Sequence, residues 1–222
     1  MVETWFFLQS PAGSAALNMA VDEALLRTAG KLGRPLLRVY AWEQPAVSFG
    51  YFQKFPAAVK LPAVRRPTGG GVVHHGADTT YTVIVPPGQA LYTMKTAEAY
   101  RALHKAVAAA LGTERSRRSA TLHAVAVSSP RGQYECFEKP VAGDVVAAGK
   151  KLAGAAQRRT KWGLLHQGSI TAKISARRLQ AAFRETLGIE FEPYHLTEEE
   201  RALAESLVRE KYSTDAWNRR LR

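Results

Sequence analysis

The chain has 222 residues, of which 46% are apolar and 23% charged, and this ordinary globular composition excludes a disordered or fibrous protein. No apolar run approaches the ~18 residues that a membrane span needs, so we expect a cytoplasmic protein without membrane contacts. The 31 Lys and Arg residues against 19 Asp and Glu give a net charge of +12, which favours an anionic partner, but their scatter in short clusters disfavours nucleic acid.

Residue spacing in the first half predicts helices interleaved with short strands. Ser14 can cap a helix, because apolar residues recur at helical spacing after it and Gly30 and Gly33 follow. Turn residues at 43–45 predict that the strands over 36–42 and 46–51 are joined there. The expected elements are strands over 4–9, 36–42, 46–51, 64–66 and 79–85 and helices over 15–28 and 96–111.

The second half predicts hairpin strands followed by two helices. A tight turn at 149–151 should join two of the strands, and Thr197 with Glu200 forms a capping box ahead of the last helix. The expected elements are strands over 144–148 and 152–157, a further strand pair or one long strand over 162–174, and helices over 175–187 and 198–211. The whole pattern predicts an α+β fold, with a mixed, mostly antiparallel sheet flanked by helices that we expect on one of its faces.

A glycine-rich segment between strands is the first candidate for chemistry. Two arginines, Arg65 and Arg66, precede three successive glycines at 69–71, and two histidines, His74 and His75, follow them. Successive glycines let the backbone approach a ligand closely, and their N–H groups can form an anion-binding concavity. The spacing matches neither a Walker loop nor a dinucleotide-binding fingerprint. A flexible hairpin loop is the alternative interpretation.

The lone cysteine is the second candidate. Cys136 has no cysteine partner, which excludes an internal disulfide and a cysteine-built zinc site, and we expect no metal. An ionised thiol is a good nucleophile toward acyl groups, and the charge of Lys151 would lower its pKa if the two side chains met. The alternatives are an inert buried cysteine and a solvent-exposed lysine in a turn.

Several segments, taken in order, resemble the lipoate-protein ligase and octanoyltransferase family of the biotinyl/lipoyl transferases. The resemblance covers most of the chain. It rests on 18–25 (NMAVDEAL), 47–53 (VSFGYFQ), 66–75 with Thr80 and Tyr81, 149–158 (GKKLAGAAQR) and 168–170 (GSI). The resemblance implies a biotin/lipoate ligase-like catalytic domain.

The segment Cys136-Phe137-Glu138-Lys139-Pro140 is most similar to the cysteine-dependent octanoyl-[acyl-carrier-protein]:protein N-octanoyltransferases. This resemblance implies that Cys136 takes an octanoyl group from acyl carrier protein as a thioester and passes it to a lysine of a lipoyl domain or of the glycine-cleavage H protein. Such a reaction needs no ATP and no cofactor. ATP-dependent ligases usually need a C-terminal accessory domain, and we expect a single catalytic domain over 1–222 without one.

The same resemblance implies a set of site residues. Cys136 and Lys151 would be catalytic, with Lys151 beside the acyl carbonyl. Substrate-binding residues would be Arg66, Thr68, Gly69, Gly70, Gly71, His75, Gly154 and Ala155.

Two positions depart from the family pattern. Many relatives have a histidine directly before the glycine of the later strand, where this chain has His166 and then Gln167. An acidic residue often follows the histidine of the glycine-rich loop, but here Gly76 follows His75, with Asp78 nearby.

Three alternative functions stay open. They are a lipoate or octanoate ligase that uses ATP and Mg²⁺, an amidotransferase between lipoyl-bearing proteins, and a non-catalytic basic binding protein.

Overall fold

Two β-sheets and the helices around them make up the described part of the chain. The computed structural model describes residues 2–112, 121–122 and 141–221. Cys136 lies outside these residues, as does the whole stretch 126–139, whose weak periodicity predicts a loop with strand ends.

The predicted strands and helices occur in the predicted order along the chain, together with several short elements that were not predicted. The strands are β1 Glu3–Gln9, β2 Leu36–Tyr40, β3 Ala46–Phe49, β4 Ala63–Arg65, β5 Val72–His75, β6 Thr79–Val85, β7 Thr121–Leu122, β8 Val145–Ala147, β9 Lys150–Thr160, β10 Gly163–Ile170 and β11 Ile189–Pro193. The helices are α1 Ala15–Arg27, α2 Ala29–Leu32, α3 Ala90–Thr93, α4 Thr96–Gly112, α5 Ala176–Leu187, α6 Glu198–Leu207 and α7 Asp215–Asn218, and a π-helical turn, Val208–Tyr212, continues α6.

The larger sheet is mixed and mostly antiparallel, as predicted. Its strand order is β11-β1-β2-β6-β10-β9-β8-β7, and the order of the smaller sheet is β4-β3-β5. Strand β1 is parallel to both β11 and β2, whereas the pairs from β2 through to β7 are antiparallel. The predicted fold class is confirmed.

Helices cover both faces of the larger sheet, so the expectation of helices on one face was wrong. Every residue of β6 is buried. Because strand side chains alternate between faces, Val83 packs with Leu103 of α4 and Phe183 of α5, while Ile84 packs with Leu25 of α1 and Leu207 of α6 on the other side. A central strand that is apolar on both faces needs a helical layer on each.

The predicted helix caps are present. The Ser14 hydroxyl accepts a hydrogen bond from the Leu17 amide at 3.2 Å and starts α1. Thr197 and Glu200 form the reciprocal capping box at the start of α6. Glu200 is buried and also accepts a hydrogen bond from the Thr28 hydroxyl at 2.9 Å. The cap therefore also ties α6 to the end of α1.

The two strands predicted on either side of the turn at 43–45 are not partners. Strand β2 belongs to the larger sheet and β3 to the smaller one. Trp42 lies at the crossing, where its indole N–H donates to the Thr80 hydroxyl at 2.8 Å. The chain thus leaves one sheet and enters the other at this point, and a gap between the two sheets opens beside Trp42.

The hairpin turn lies one residue earlier than predicted. Ala147 pairs with Lys150, so the two turn residues are Ala148 and Gly149, which have φ angles of 49° and 74°. Two successive positive φ angles give a turn whose twist matches the flanking strands. Lys151 is therefore the second residue of β9 rather than a turn residue, and it is buried.

Candidate active site

A pocket lies between the two sheets and is lined by residues from both of them. Its apolar and small lining residues are Met19, Tyr40, Trp42, Val73, Gly154, Ala155, Ala156 and Gly168. Its polar lining residues are Ser48, Arg66, His75, Thr80, Gln167 and Ser169. The pocket lining thus combines apolar and polar side chains.

Arg66 holds the glycine-rich loop closed. One terminal nitrogen of its guanidinium donates to the Ser48 hydroxyl at 2.8 Å. The other donates to the carbonyls of Gly69 and Gly71, both at 2.9 Å. The planar guanidinium has donors in a fixed fork, which suits it to bridging groups of fixed geometry. Arg66 therefore fixes the shape of the loop and its distance from β3.

Close packing between the end of β3 and the glycine-rich loop explains why each of them has a glycine at the point of contact. A Cβ placed on Gly50 would lie only 1.9 Å from the Gly70 carbonyl oxygen, and Gly70 itself has a φ of 88°. The amide of Tyr51 also donates to the Thr68 carbonyl at 2.8 Å. The end of β3 and the loop can approach this closely because neither Gly50 nor Gly70 has a side chain.

Gln167 ties the loop to the core. It accepts a hydrogen bond from the Thr68 hydroxyl at 2.7 Å and donates to the buried Asp22 carboxylate at 2.7 Å. Asp22 in turn forms a buried ion pair with Arg38 at 2.6 Å. The departure from the family pattern at Gln167 therefore has a structural consequence, because this side chain joins the loop, α1 and β10.

His166 faces away from the pocket. Neighbouring residues of a strand point to opposite faces, and since Gln167 lines the pocket, His166 lies on the other side of β10. There it contacts the Tyr81 hydroxyl at 3.2 Å and the Gln157 amide at 3.0 Å. Burial holds the pKa of His166 well below its ordinary value, with a further lowering from His104. The one-residue shift thus removes a histidine from the pocket wall.

His75 is held on both ring nitrogens. Its Nε2 lies 2.6 Å from the Ser48 hydroxyl and its Nδ1 lies 2.7 Å from Asp78, while its ring stacks on Trp42 with centroids 3.9 Å apart. Burial lowers the pKa of His75 below 6.5, although Asp78 opposes this shift. Burial alone would raise the pKa of Asp78, but its hydrogen bonds, that with His75 foremost, lower it to about 2.

Lys151 lies beside Gly154, one of the residues that line the pocket. Its ammonium forms an ion pair with Asp144 at 2.8 Å, and the two side chains are 2% and 0% exposed. The other oxygen of Asp144 accepts a hydrogen bond from the Tyr100 hydroxyl at 2.6 Å. A Cβ on Gly154 would lie 2.3 Å from the Lys151 Cε and 2.6 Å from its Nζ. An alanine at position 154 would therefore force the end of this lysine side chain to shift.

The structure brings most of the predicted site residues to one place. The predicted residues that line the pocket are Arg66, His75, Gly154 and Ala155. The loop residues at 68–71 are tied to this lining through Arg66 and Gln167, and Lys151 lies beside Gly154. Cys136 lies outside the described residues, so its approach to Lys151 stays a prediction.

Sequence reasoning missed the partners of these residues. Ser48 lies in a matched segment but received no role, and Asp144 and Tyr100 received none. A buried lysine needs a nearby carboxylate, which predicts that some Asp or Glu lies beside Lys151. No sequence spacing identifies Asp144 as that residue.

Within the described residues, no group of three or more His, Cys, Asp or Glu side chains is placed to hold a metal ion. None of the helices described is long and apolar enough to cross a membrane.

Comparison with known proteins gives relatives along nearly the whole chain. Octanoyltransferase LipM of Geobacillus kaustophilus is 33% identical over 97% of this chain and 98% of its own length. Octanoyltransferase LipM of Kyrpidia tusciae is also 33% identical, over 99% and 100%, and that of Bacillus subtilis is 30% identical, over 97% and 98%.

Solved structures share the fold. Protein Ta0514 of T. acidophilum with bound lipoic acid matches with a TM-score of 0.79 and 25% identity, over all of both chains. Lipoate-protein ligase A bound with ATP matches with a TM-score of 0.76 and 24% identity over 98% of both chains. The family model for the lipoyl protein ligase A/B catalytic domain matches residues 14–206. The chain therefore belongs to the lipoyl protein ligase A/B catalytic domain family.

Proposed function

We propose that this protein transfers an octanoyl group from acyl carrier protein to a lysine of a lipoyl domain, through a thioester on Cys136. The observation that carries the proposal is the place of the Lys151 ammonium, which is held by Asp144 beside Gly154 of the pocket lining. A cation there can stabilise the negative charge that develops on an acyl carbonyl oxygen. The relatives named octanoyltransferase support the same reaction class.

The apolar wall of the pocket suits an acyl chain. Met19, Tyr40, Trp42 and Val73 line it and are buried, and each methylene transferred from water to such a wall contributes ~0.8 kcal/mol. An eight-carbon chain could thus gain several kcal/mol of binding. The small residues at 154–156 also line the pocket, and we infer that they leave room for the acyl chain beside β9.

Covalent transfer proceeds in two steps. The Cys136 thiolate attacks the thioester carbonyl of the donor, the carrier leaves as a thiolate, and an octanoyl thioester forms on Cys136. The amine of the acceptor lysine then attacks this carbonyl, an amide forms, and the Cys136 thiol is released. Because the donor thioester is already activated, the reaction uses no ATP, and we expect neither a cofactor nor a metal.

The partners follow from charge and from one structural neighbour. A net charge of +12 favours acidic partners, since complementary charge speeds their encounter. A T. acidophilum bi-partite lipoate protein ligase, described with its E2 lipoyl domain, matches with a TM-score of 0.75. We propose a lipoyl domain or the glycine-cleavage H protein as acceptor.

The basic cluster at 158–161 is a candidate docking surface for them. Arg158 lies beside the glycine-rich loop, where it donates to the Pro67 carbonyl at 3.0 Å. Arg159 donates hydrogen bonds to backbone carbonyls in and next to α3.

A transfer assay tests the proposal. Wild type is mixed with octanoyl-acyl carrier protein and a lipoyl domain without ATP, and the mass of the acceptor is followed. We expect acceptor octanoylation by wild type and its loss in Cys136→Ser. Equal activity in Cys136→Ser would contradict the role of the cysteine.

An ATP-dependent ligase is the second candidate. It is favoured by the shared fold with lipoate-protein ligase A bound with ATP. Such an enzyme would label the acceptor only when octanoic or lipoic acid and ATP with Mg²⁺ are supplied together, and it would tolerate Cys136→Ser. The same assay with free acid therefore separates the two functions.

A further inference from the structure

Three side chains beside the pocket form a continuous hydrogen-bonded chain. The Ser48 hydroxyl lies 2.6 Å from the Nε2 of His75, and the Nδ1 of the same ring lies 2.7 Å from Asp78. Serine, histidine and carboxylate in this order, each within hydrogen-bond distance of the next, form the arrangement that activates a serine hydroxyl as a nucleophile. None of these three residues acts in the two transfer steps described above.

The surroundings of His75 set the protonation of these three side chains. A neutral His75 with its proton on Nδ1 donates to Asp78, which also accepts hydrogen bonds from Thr80 at 2.9 Å and Ser169 at 2.8 Å. This tautomer leaves the lone pair of Nε2 facing Ser48. The serine hydroxyl can therefore donate to His75, which is the direction needed for the histidine to take up the proton.

A cation lies beside the serine oxygen. A terminal nitrogen of Arg66 donates to the Ser48 hydroxyl oxygen at 2.8 Å, so negative charge on this oxygen or on an attached carbonyl would be stabilised. Ser48, His75 and Arg66 all line the pocket that we propose holds the acyl chain. A chain of hydrogen bonds serving only to brace β3 against β5 would not need to face this pocket.

We propose that Ser48, His75 and Asp78 form a second reactive centre that hydrolyses medium-chain acyl esters and thioesters independently of Cys136. In the first step the Ser48 oxygen bonds to the acyl carbonyl carbon and its proton passes to Nε2 of His75. That proton then goes to the leaving thiol or alcohol as its bond to carbon breaks. In the second step a water attacks the acyl-serine, its proton passes to His75 and on to Ser48, and the fatty acid is released.

This inference rests on the acyl-binding pocket of the proposed function but not on its cysteine. The two can therefore fail separately. Cys136→Ala should abolish transfer to a lipoyl domain and leave ester hydrolysis in place, whereas Ser48→Ala should abolish ester hydrolysis.

The first experiment is labelling of the wild-type protein with a fluorophosphonate, which reacts with activated serines. Trypsin releases residues 39–54 as one peptide, in which Ser48 is the only serine. We expect the label on this peptide and its loss in Ser48→Ala and Asp78→Asn. Ser206→Ala is the matched control, because the Ser206 hydroxyl donates a hydrogen bond to Glu210 on the exposed side of α6. This variant should leave labelling unchanged.

The second experiment is hydrolysis of p-nitrophenyl octanoate. We expect Ser48→Ala to lower the rate at least ~100-fold, as loss of a nucleophile or general base does, and Cys136→Ala to keep it. If the wild-type protein carries no label on residues 39–54, the three side chains only brace the pocket and the proposal is wrong. Hydrolysis that persists in Ser48→Ala and disappears in Cys136→Ala would likewise overturn it.

Discussion

Lys151 and Asp144 are a fully buried ion pair at the centre of the proposed mechanism. Removing two charges from water costs several kcal/mol per ion, and a nearby opposite charge offsets this only with additional hydrogen bonds. Asp144 has them, since it accepts from the Tyr100 hydroxyl and from the Val141 amide at 2.7 Å. The carboxylate therefore positions the lysine and makes its burial possible.

We expect Asp144→Asn and Lys151→Met each to lower the free energy of unfolding by ~3–5 kcal/mol, because each leaves its partner's charge buried without its counter-charge. The double variant should lose less than the sum of the two. Urea unfolding of the four proteins gives the coupling energy. Strictly additive losses would mean that the two charges do not support each other.

Gly154 is the residue that places Lys151 against the pocket. We expect Gly154→Ala to push the ammonium away, since the added Cβ would lie 2.3 Å from the lysine Cε, and to slow octanoyl transfer by ~100-fold, as a displacement of about 1 Å at a reacting centre can. Gly30→Ala is the matched control, because a Cβ there meets nothing within 4 Å. Unchanged transfer by Gly154→Ala would remove Lys151 from the mechanism.

The sequence indicates candidate site residues more readily than it indicates the partners of those residues. Lys151, Arg66 and His75 stand in segments with family resemblance. Asp144 and Ser48 become recognisable only when the fold brings distant residues together, because the ion pair and the serine-histidine contact depend on how the strands pair.

The turn between β8 and β9 fixes the register that buries Lys151. Moving the turn by one residue would point this side chain to the opposite face of the sheet. Ala148 occupies the first turn position with a φ of 49°, a region that disfavours alanine and suits asparagine or glycine. Asn-Gly is the preferred pair for such a turn.

We expect Ala148→Asn to raise the free energy of unfolding by ~0.5–1 kcal/mol, because asparagine tolerates this backbone conformation. Ala147→Asn, one residue earlier in β8, should instead lower it, because asparagine is disfavoured in strands. Thermal unfolding of the two variants beside wild type measures both effects. A destabilised Ala148→Asn would indicate a different turn.

Most of the longer elements could be predicted from apolar spacing and caps, but β5, β7, β11 and the short helices α2, α3 and α7 could not. Strand β5 has only four residues, two valines and two histidines directly after the glycines, which is too short a run to show the alternation of a strand. Strand β11 has five residues and ends at Pro193, and it forms by pairing with β1, about 185 residues away in sequence. Such pairing depends on tertiary packing, which local preference does not encode.

The whole molecule buries several histidines in neutral form. Burial lowers the pKa values of His75 and His166 and lowers that of His104 to about 4. The unfolded chain binds protons near its ordinary histidine pKa of ~6.5, whereas the folded chain does not. Folding stability is therefore fully present above this value and is lost as the pH falls toward the folded pKa values.

We expect the free energy of unfolding to fall between pH 6.5 and 4, by up to ~1.4 kcal/mol per pH unit for each buried histidine. His104→Asn should reduce this slope, and His195→Asn, at an exposed position, should leave it unchanged. Urea unfolding at a series of pH values measures the slope. A slope that is the same in His104→Asn and wild type would contradict the assignment.

In the proposed mechanism Cys136 carries the octanoyl group between donor and acceptor. The sharpest test is intact-protein mass spectrometry of wild type and Cys136→Ala, each mixed with octanoyl-acyl carrier protein without ATP. We expect an adduct of octanoyl mass on wild type alone, which disappears when a lipoyl domain is added. An unmodified wild type, or an adduct that also forms on Cys136→Ala and passes to the lipoyl domain, would rule out this role of Cys136.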